Sequence, residues 1–196
     1  MIARVLVIGA GLVGSSVGMA LTQAGVRVTL EDRATSHALV AASLGAGRVG
    51  PAGPDEIDVV VVATPPDSIA AVVRTSLERF PNAVVTDVGS VKAPIAEALN
   101  DIDARRYVGS HPMAGSQYSG PLTASAALFE GRTWVVSARP DNRPEDVAII
   151  EELAAMTGAV LVHLDPITNV EAVAQLSHVH HLMSILTARH LRGVPA

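Results

Sequence analysis

The stretch Ile2-Ala3-Arg4-Val5-Leu6-Val7-Ile8-Gly9-Ala10-Gly11-Leu12-Val13-Gly14 decides how the rest of the chain is read. Residues 2–8 form an apolar run of strand length, and a helical pattern follows over 12–24. Gly-x-Gly-x-x-Gly between a strand and a helix is the dinucleotide-binding fingerprint in the setting that gives it meaning. Gly9 would make the tight turn, Gly11 would let the backbone approach a pyrophosphate, and Gly14 would let the helix lie close on the strand. The helix N-terminus adds unpaired N–H groups and the positive end of a dipole. Gly9, Gly11, Leu12, Val13 and Gly14 are therefore the first candidate cofactor-binding positions.

Outward from the fingerprint, apolar runs and helical patterns alternate. Further strands are predicted at 26–30, 58–63, 83–86, 107–109, 134–137 and 159–162, and helices at 36–44, 66–79, 91–99 and 145–156. Continuous Val-rich strands suggest burial on both faces, as in a parallel sheet covered by helices. The prediction is an α/β, Rossmann-type doubly wound, mostly parallel sheet over residues 1–166. Residues 168–191 read differently, as one long helix with Val170, Val173, Leu176, Val179, Met183, Leu186 and Leu191 along one stripe. Residues 167–196 are expected to be the first helix of a shortened helical substrate and dimerisation domain, or an oligomer contact.

Composition narrows the function classes. The 196 residues are 49% hydrophobic with one Trp, two Tyr and two Phe, so Val, Leu, Ile and Ala must build the core. No cysteine is present, which fits a reducing cytoplasm and rules out disulfides and cysteine metal sites. A net charge of −5 argues against a nucleic-acid partner. The early Arg4 and apolar run superficially resemble a signal peptide, but the fingerprint explains them better, and no run approaches a transmembrane length. A soluble protein without a membrane partner is expected.

Asp32 stands 18 residues after Gly14, near the spacing at which a carboxylate meets the adenosine ribose hydroxyls. A carboxylate there repels a 2′-phosphate and favours NAD over NADP. Arg33 complicates this, because a guanidinium could bind that phosphate; Asp32 and Arg33 could also be ordinary surface charges. Thr64-Pro65 follows the third strand of the prediction, at the edge where a cofactor would lie, or forms a plain turn into the next helix. Ser90, after the fourth strand, could cap a helix starting at Val91, point its hydroxyl at a substrate, or do both. His111, in Gly109-Ser110-His111-Pro112-Met113-Ala114-Gly115-Ser116, is a candidate base for hydride transfer.

These segments carry a resemblance. Thr86-Asp87-Val88-Gly89-Ser90-Val91-Lys92, the 109–116 loop, Ser119-Gly120 and Leu128-Phe129-Glu130-Gly131 closely resemble prephenate dehydrogenase. Ala174-Gln175-Leu176-Ser177-His178-Val179-His180-His181 is similar to that family's Ser-His-Leu-Pro-His helix motif. The resemblance implies NAD-dependent oxidative decarboxylation of prephenate to 4-hydroxyphenylpyruvate on the route to tyrosine, with arogenate as substrate in some relatives. It implies that a neutral His111, with a pKa of about 6.5, accepts a proton from the ring 4-hydroxyl, and that Ser90 orients it. Ser116 and Gln117 match loop positions facing the substrate. His178 and His181, three apart on one helix face, match residues bordering it, although helix histidines are often satisfied by packing alone.

Some positions depart from the family. Val179-His180 replaces Leu-Pro, and Asn169-Val170 stands where many relatives have His-Asp. The resemblance implies a carboxylate-clamping arginine further along than this sequence is expected to reach, since Arg189 and Arg192 lie too early for it. The expectation is a C-terminally shortened member forming a homodimer through the last helix and holding no metal. A dinucleotide-binding module without turnover is the alternative.

Overall fold

The computed structural model describes residues 1–115 and 117–163. Strands β1 (Arg4–Ile8), β2 (Arg27–Glu31), β3 (Arg48–Val49), β4 (Val59–Val62) and β5 (Val84–Asp87) form a parallel sheet ordered β3-β2-β1-β4-β5. Helices α1 (Leu12–Gln23), α2 (Thr35–Ser43) and α3 (Pro66–Arg79) connect them. Alternate residues feed two cores: Val5 and Val7 pack with Val17, Leu21, Val59 and Val61, and Leu6 packs with Val60, Val62, Val73 and Phe80. All four valines of β4 are buried, as expected of a strand covered on both faces. Pro66 at the start of α3, Asp67 in its first turn and Arg79 in its last suit the free N–H groups and dipole of that helix.

After the short helix α4 (Ala93–Ala98), strands β6 (Gly109–Pro112), β7 (Thr133–Ser137) and β8 (Val160–His163) form a second ladder; α5 (Pro144–Met156) precedes β8. β7 runs antiparallel to β6 and parallel to β8. One parallel bridge, Val85 to Tyr107, joins the two ladders. The Val85 N–H donates to the Arg106 carbonyl at 2.9 Å, and the Val108 N–H donates to the Val85 carbonyl at 3.0 Å.

The predicted architecture is present, with local corrections. The 66–79 helix lies where predicted, whereas the 91–99 helix is confined to Ala93–Ala98. The strand expected at 107–109 is Gly109–Pro112, because Tyr107 makes only the bridge and the antiparallel ladder starts at Gly109. β3 was not anticipated: two residues leave no periodic trace. The boundary expected between 166 and 167 and the expected 168–191 helix lie outside the described residues.

Candidate active site

Strand register assembles the site. Ile8 lies beside Glu31 on one side and Val62 on the other, and Val62 lies beside Asp87. The next residues along each strand therefore emerge together at the carboxyl edge: Gly9, Asp32, Ala63 and Val88. β1 sits where connections leave to opposite sides of the sheet, and ligands of doubly wound folds bind at this crevice.

The three fingerprint glycines are distinguishable. Gly9 has φ +106°, and a Cβ there would lie 2.4 Å from the Ala63 carbonyl oxygen. A Cβ on Gly14 would lie 1.9 Å from the Gly9 carbonyl oxygen, so strand and helix touch through backbone. Gly11 is opposite in kind: a Cβ there meets nothing within 4 Å. The space above Gly11 is open, at the start of a helix with no side-chain cap and no acidic residue in its first turn. Leu12 is buried and Val13 half-buried in that first turn.

Asp32 stands beside this opening. Its Oδ2 accepts the Ala10 N–H at 2.6 Å and its Oδ1 accepts the Ala34 N–H at 2.7 Å, tying the end of β2 to the glycine loop. Arg33 is exposed. Both line a cleft of about 510 Å³ walled by Ile8, Leu30, Val49 and Pro51, a volume suited to a nucleoside. Glu31, also at its rim, is occupied by two bonds of 2.7 Å from Arg79. Thr64 carries a buried hydroxyl without a partner among the described residues. Pro65 is exposed at the cap position of α3. The open glycine, the free helix end, the carboxylate and the orphan hydroxyl all fit a dinucleotide.

His111 reaches the same edge from β6, paired with Val135 of β7. It is 8% exposed, and its Nδ1 is buried without a partner among the described residues. Burial, with the Lys92 charge adding to it, lowers its pKa from 6.5 to about 4, below the value the sequence suggested. The imidazole is uncharged at neutral pH. Ser90 is half-buried and is not a helix cap; Lys92 holds that position before α4 and makes no side-chain cap bond. No hydrogen bond joins Ser90 to His111 among the described residues. Gln117 is exposed. Ser116, His178 and His181 lie outside the described residues.

The sequence reading missed the polar cluster behind β5. Asp87 Oδ1 accepts the Tyr107 hydroxyl at 2.8 Å, and Oδ2 accepts the Gly89 N–H at 2.9 Å and the Lys92 ammonium. Ser110 donates to the Asp87 carbonyl at 2.9 Å, and the Thr86 hydroxyl donates to Ser110 at 3.0 Å, fixing β6 against β5. Asp87 and Lys92 sit in a quoted motif, but nothing in the motif signals that both are buried.

With this geometry in hand, comparison with known proteins is specific. Residues 17–163 match the model of the prephenate dehydrogenase nucleotide-binding domain. The chain belongs to the prephenate dehydrogenase family. A probable prephenate dehydrogenase of Streptomyces niveus, NovF, is 32% identical over 95% of this chain and 52% of its own length. The chain thus spans about half the length of the curated relatives it matches. Among solved structures, an arogenate dehydrogenase of Synechocystis is 25% identical with a TM-score of 0.84, over 97% of this chain and 70% of that one. Prephenate dehydrogenase from A. aeolicus, solved with hydroxyphenyl propionate and NAD+, superposes with a TM-score of 0.85 at 22% identity, over 100% of this chain and 71% of that one. The last likeness concerns the fold. No helix among the described residues is long and apolar enough to cross a membrane.

Proposed function

We propose that this chain carries the NAD-binding and proton-accepting part of an enzyme that oxidatively decarboxylates prephenate to 4-hydroxyphenylpyruvate. The observation that carries the reading is His111: a buried, uncharged imidazole with an unpartnered ring nitrogen, at the same sheet edge as an open dinucleotide fingerprint. NAD, when bound, supplies the hydride acceptor. Gly9, Gly11, Leu12, Val13 and Gly14 form its pyrophosphate turn, Asp32 and Arg33 flank its adenosine ribose, and Thr64 and Pro65 line its path toward β5. His111 accepts the proton that the ring hydroxyl loses as its carbon is oxidised, and the neutral state of the ring leaves it free to do so. Ser90 is assigned to orient the substrate hydroxyl, and Ser116, Gln117, His178 and His181 are assigned to bind the remainder of the substrate. The protein works in the cytoplasm as a homodimer.

Arogenate is the second reading, favoured by the Synechocystis likeness. The test is NADH formation from NAD with prephenate and, separately, with arogenate. Turnover of prephenate is expected. Turnover of arogenate alone moves the assignment to the second substrate, and NAD binding without turnover of either leaves a dinucleotide-binding module.

A further inference from the structure

The Asp87, Lys92 and Tyr107 cluster is unused by the chemistry above, yet it is built with care. Lys92 is 2% exposed and Asp87 is fully buried. Tyr107 and the Gly89 N–H hold the carboxylate that holds the ammonium. Gly109, the residue that opens β6, leaves the room: a Cβ there would lie 3.2 Å from both Lys92 Cδ and the Tyr107 hydroxyl. A buried ion pair seldom stabilises a fold more than apolar residues of the same volume would. Its consequence here is a positive charge held away from water beside β6: Lys92 Cδ lies against Gly109, and His111, two residues on, projects from the same face of that strand.

We propose that Lys92 is a positioning residue for the reaction, its ammonium fixed by Asp87 and Tyr107 so that His111 stays unprotonated and open to the substrate hydroxyl. The proposal rests on the reading of His111 as the base. Burial and the Lys92 charge both disfavour the imidazolium and hold its pKa at about 4. Burial also lowers the Lys92 pKa, and Asp87 opposes that shift. Among the described residues, Lys92 at the cap of α4 is the charge that acts on His111; Asp87 of β5 holds the ammonium, Tyr107 ahead of β6 holds Asp87, and Asp87 and Arg139 act in turn on Tyr107. β7 itself carries no ionisable side chain. The arrangement keeps the acceptor form fully populated, at some cost in the basicity of the ring.

The test reads His111 directly, by proton NMR titration of the full chain with its resonance assigned by comparison with His111→Asn. In the unaltered chain the midpoint should lie well below that of an ordinary histidine; a midpoint near 6.5 overturns the proposal. The paired replacement Asp87→Asn with Lys92→Met removes both charges and should raise the midpoint by about one pH unit. Lys92→Arg, which keeps the charge, should leave it low. An unchanged midpoint in the neutral pair, or equal midpoints in the Arg and Met variants, overturns the proposal. If His111→Asn keeps its turnover while these midpoints behave as expected, it is the base reading that fails, not the electrostatic one.

Discussion

As the proposed base, His111 has two demands to meet in one side chain: burial enough to meet a reacting hydroxyl away from water, and neutrality to accept its proton. His111→Asn should therefore keep NAD binding and lose turnover by roughly 10²–10⁴-fold, the usual worth of a positioned base. Ser90→Ala should cost less, since the role proposed for it is to orient without accepting the proton; steady-state kinetics at saturating substrate checks both. The same burial makes stability depend on pH. A histidine whose folded pKa is about 4 costs nothing above its unfolded value of 6.5, and the unfolded chain binds the extra proton as pH falls between the two. Stability should decline across that window by up to about 3 kcal/mol from this residue. Thermal unfolding from pH 7 to 4.5 should show a shallower decline in His111→Asn. Asp32 gives a separate test: NAD should bind more tightly than NADP, and Asp32→Ser should narrow that gap. A hydrogen bond to a charged group is worth about 1.5–3 kcal/mol, so NAD should weaken roughly ten- to hundred-fold by calorimetry. Equal affinities in the unaltered chain would redirect attention to Arg33. Asp32 and His111 stand out as candidates in the sequence because their types and spacings are tied to chemistry. Lys92 was not, because a lysine on a motif reads as solvated until burial is seen.

At the scale of elements, the fingerprint glycines separate what the fold requires from what the ligand requires. Gly14→Ala would drive a methyl group to 1.9 Å from the Gly9 carbonyl oxygen, so α1 must move off β1. A destabilisation above about 4 kcal/mol is expected, at the extreme end for a single substitution. Gly11→Ala meets nothing and has an ordinary extended backbone, φ −79°, so its thermal midpoint should stay near that of the unaltered chain. Its NAD affinity should nonetheless collapse, because the methyl group occupies the space left for the phosphates. Thermal unfolding and NAD titration of the two variants give opposite patterns if this division is right; a Gly11→Ala protein that binds NAD normally would place the pyrophosphate elsewhere. The elements themselves were largely readable. The helix Pro66–Arg79 announces its start with proline and its end with a basic residue. Strand β3 left no trace, since pairing of Arg48 with Thr29 and of Val49 with Leu30 is a tertiary fact. β6 was misplaced because Tyr107 and Val108 look like strand, while the ladder is decided by the partner strand β7.

At the scale of the whole molecule, fold class followed from alternation of strand and helix, but the attachment of the second ladder did not. A single bridge at Tyr107 and the Thr86–Ser110–Asp87 hydrogen bonds carry β6 to the edge of β5, and no periodicity encodes them. Assembly is the property that the sequence raises and the described residues do not reach. Residues 168–192 lie outside them, and their sequence pattern alone bears on association. Val170, Val173, Leu176, Val179, Met183 and Leu186 recur at steps of three and four with Leu191 beyond them, and each apolar side chain of this size contributes roughly 1.5–3 kcal/mol when fully buried. A stripe of that length facing water is a strong drive to association. The simplest closed arrangement is a two-fold contact in which the same stripe meets itself. Light scattering at micromolar concentration should therefore give twice the chain mass of 20.2 kDa, and Leu186→Glu should shift the population toward monomer by placing two charges in one apolar seam. The competing arrangement folds the segment back on its own sheet. It predicts a monomer at every concentration, with a mass that Leu186→Glu does not change, and that result would remove the helix-mediated dimer.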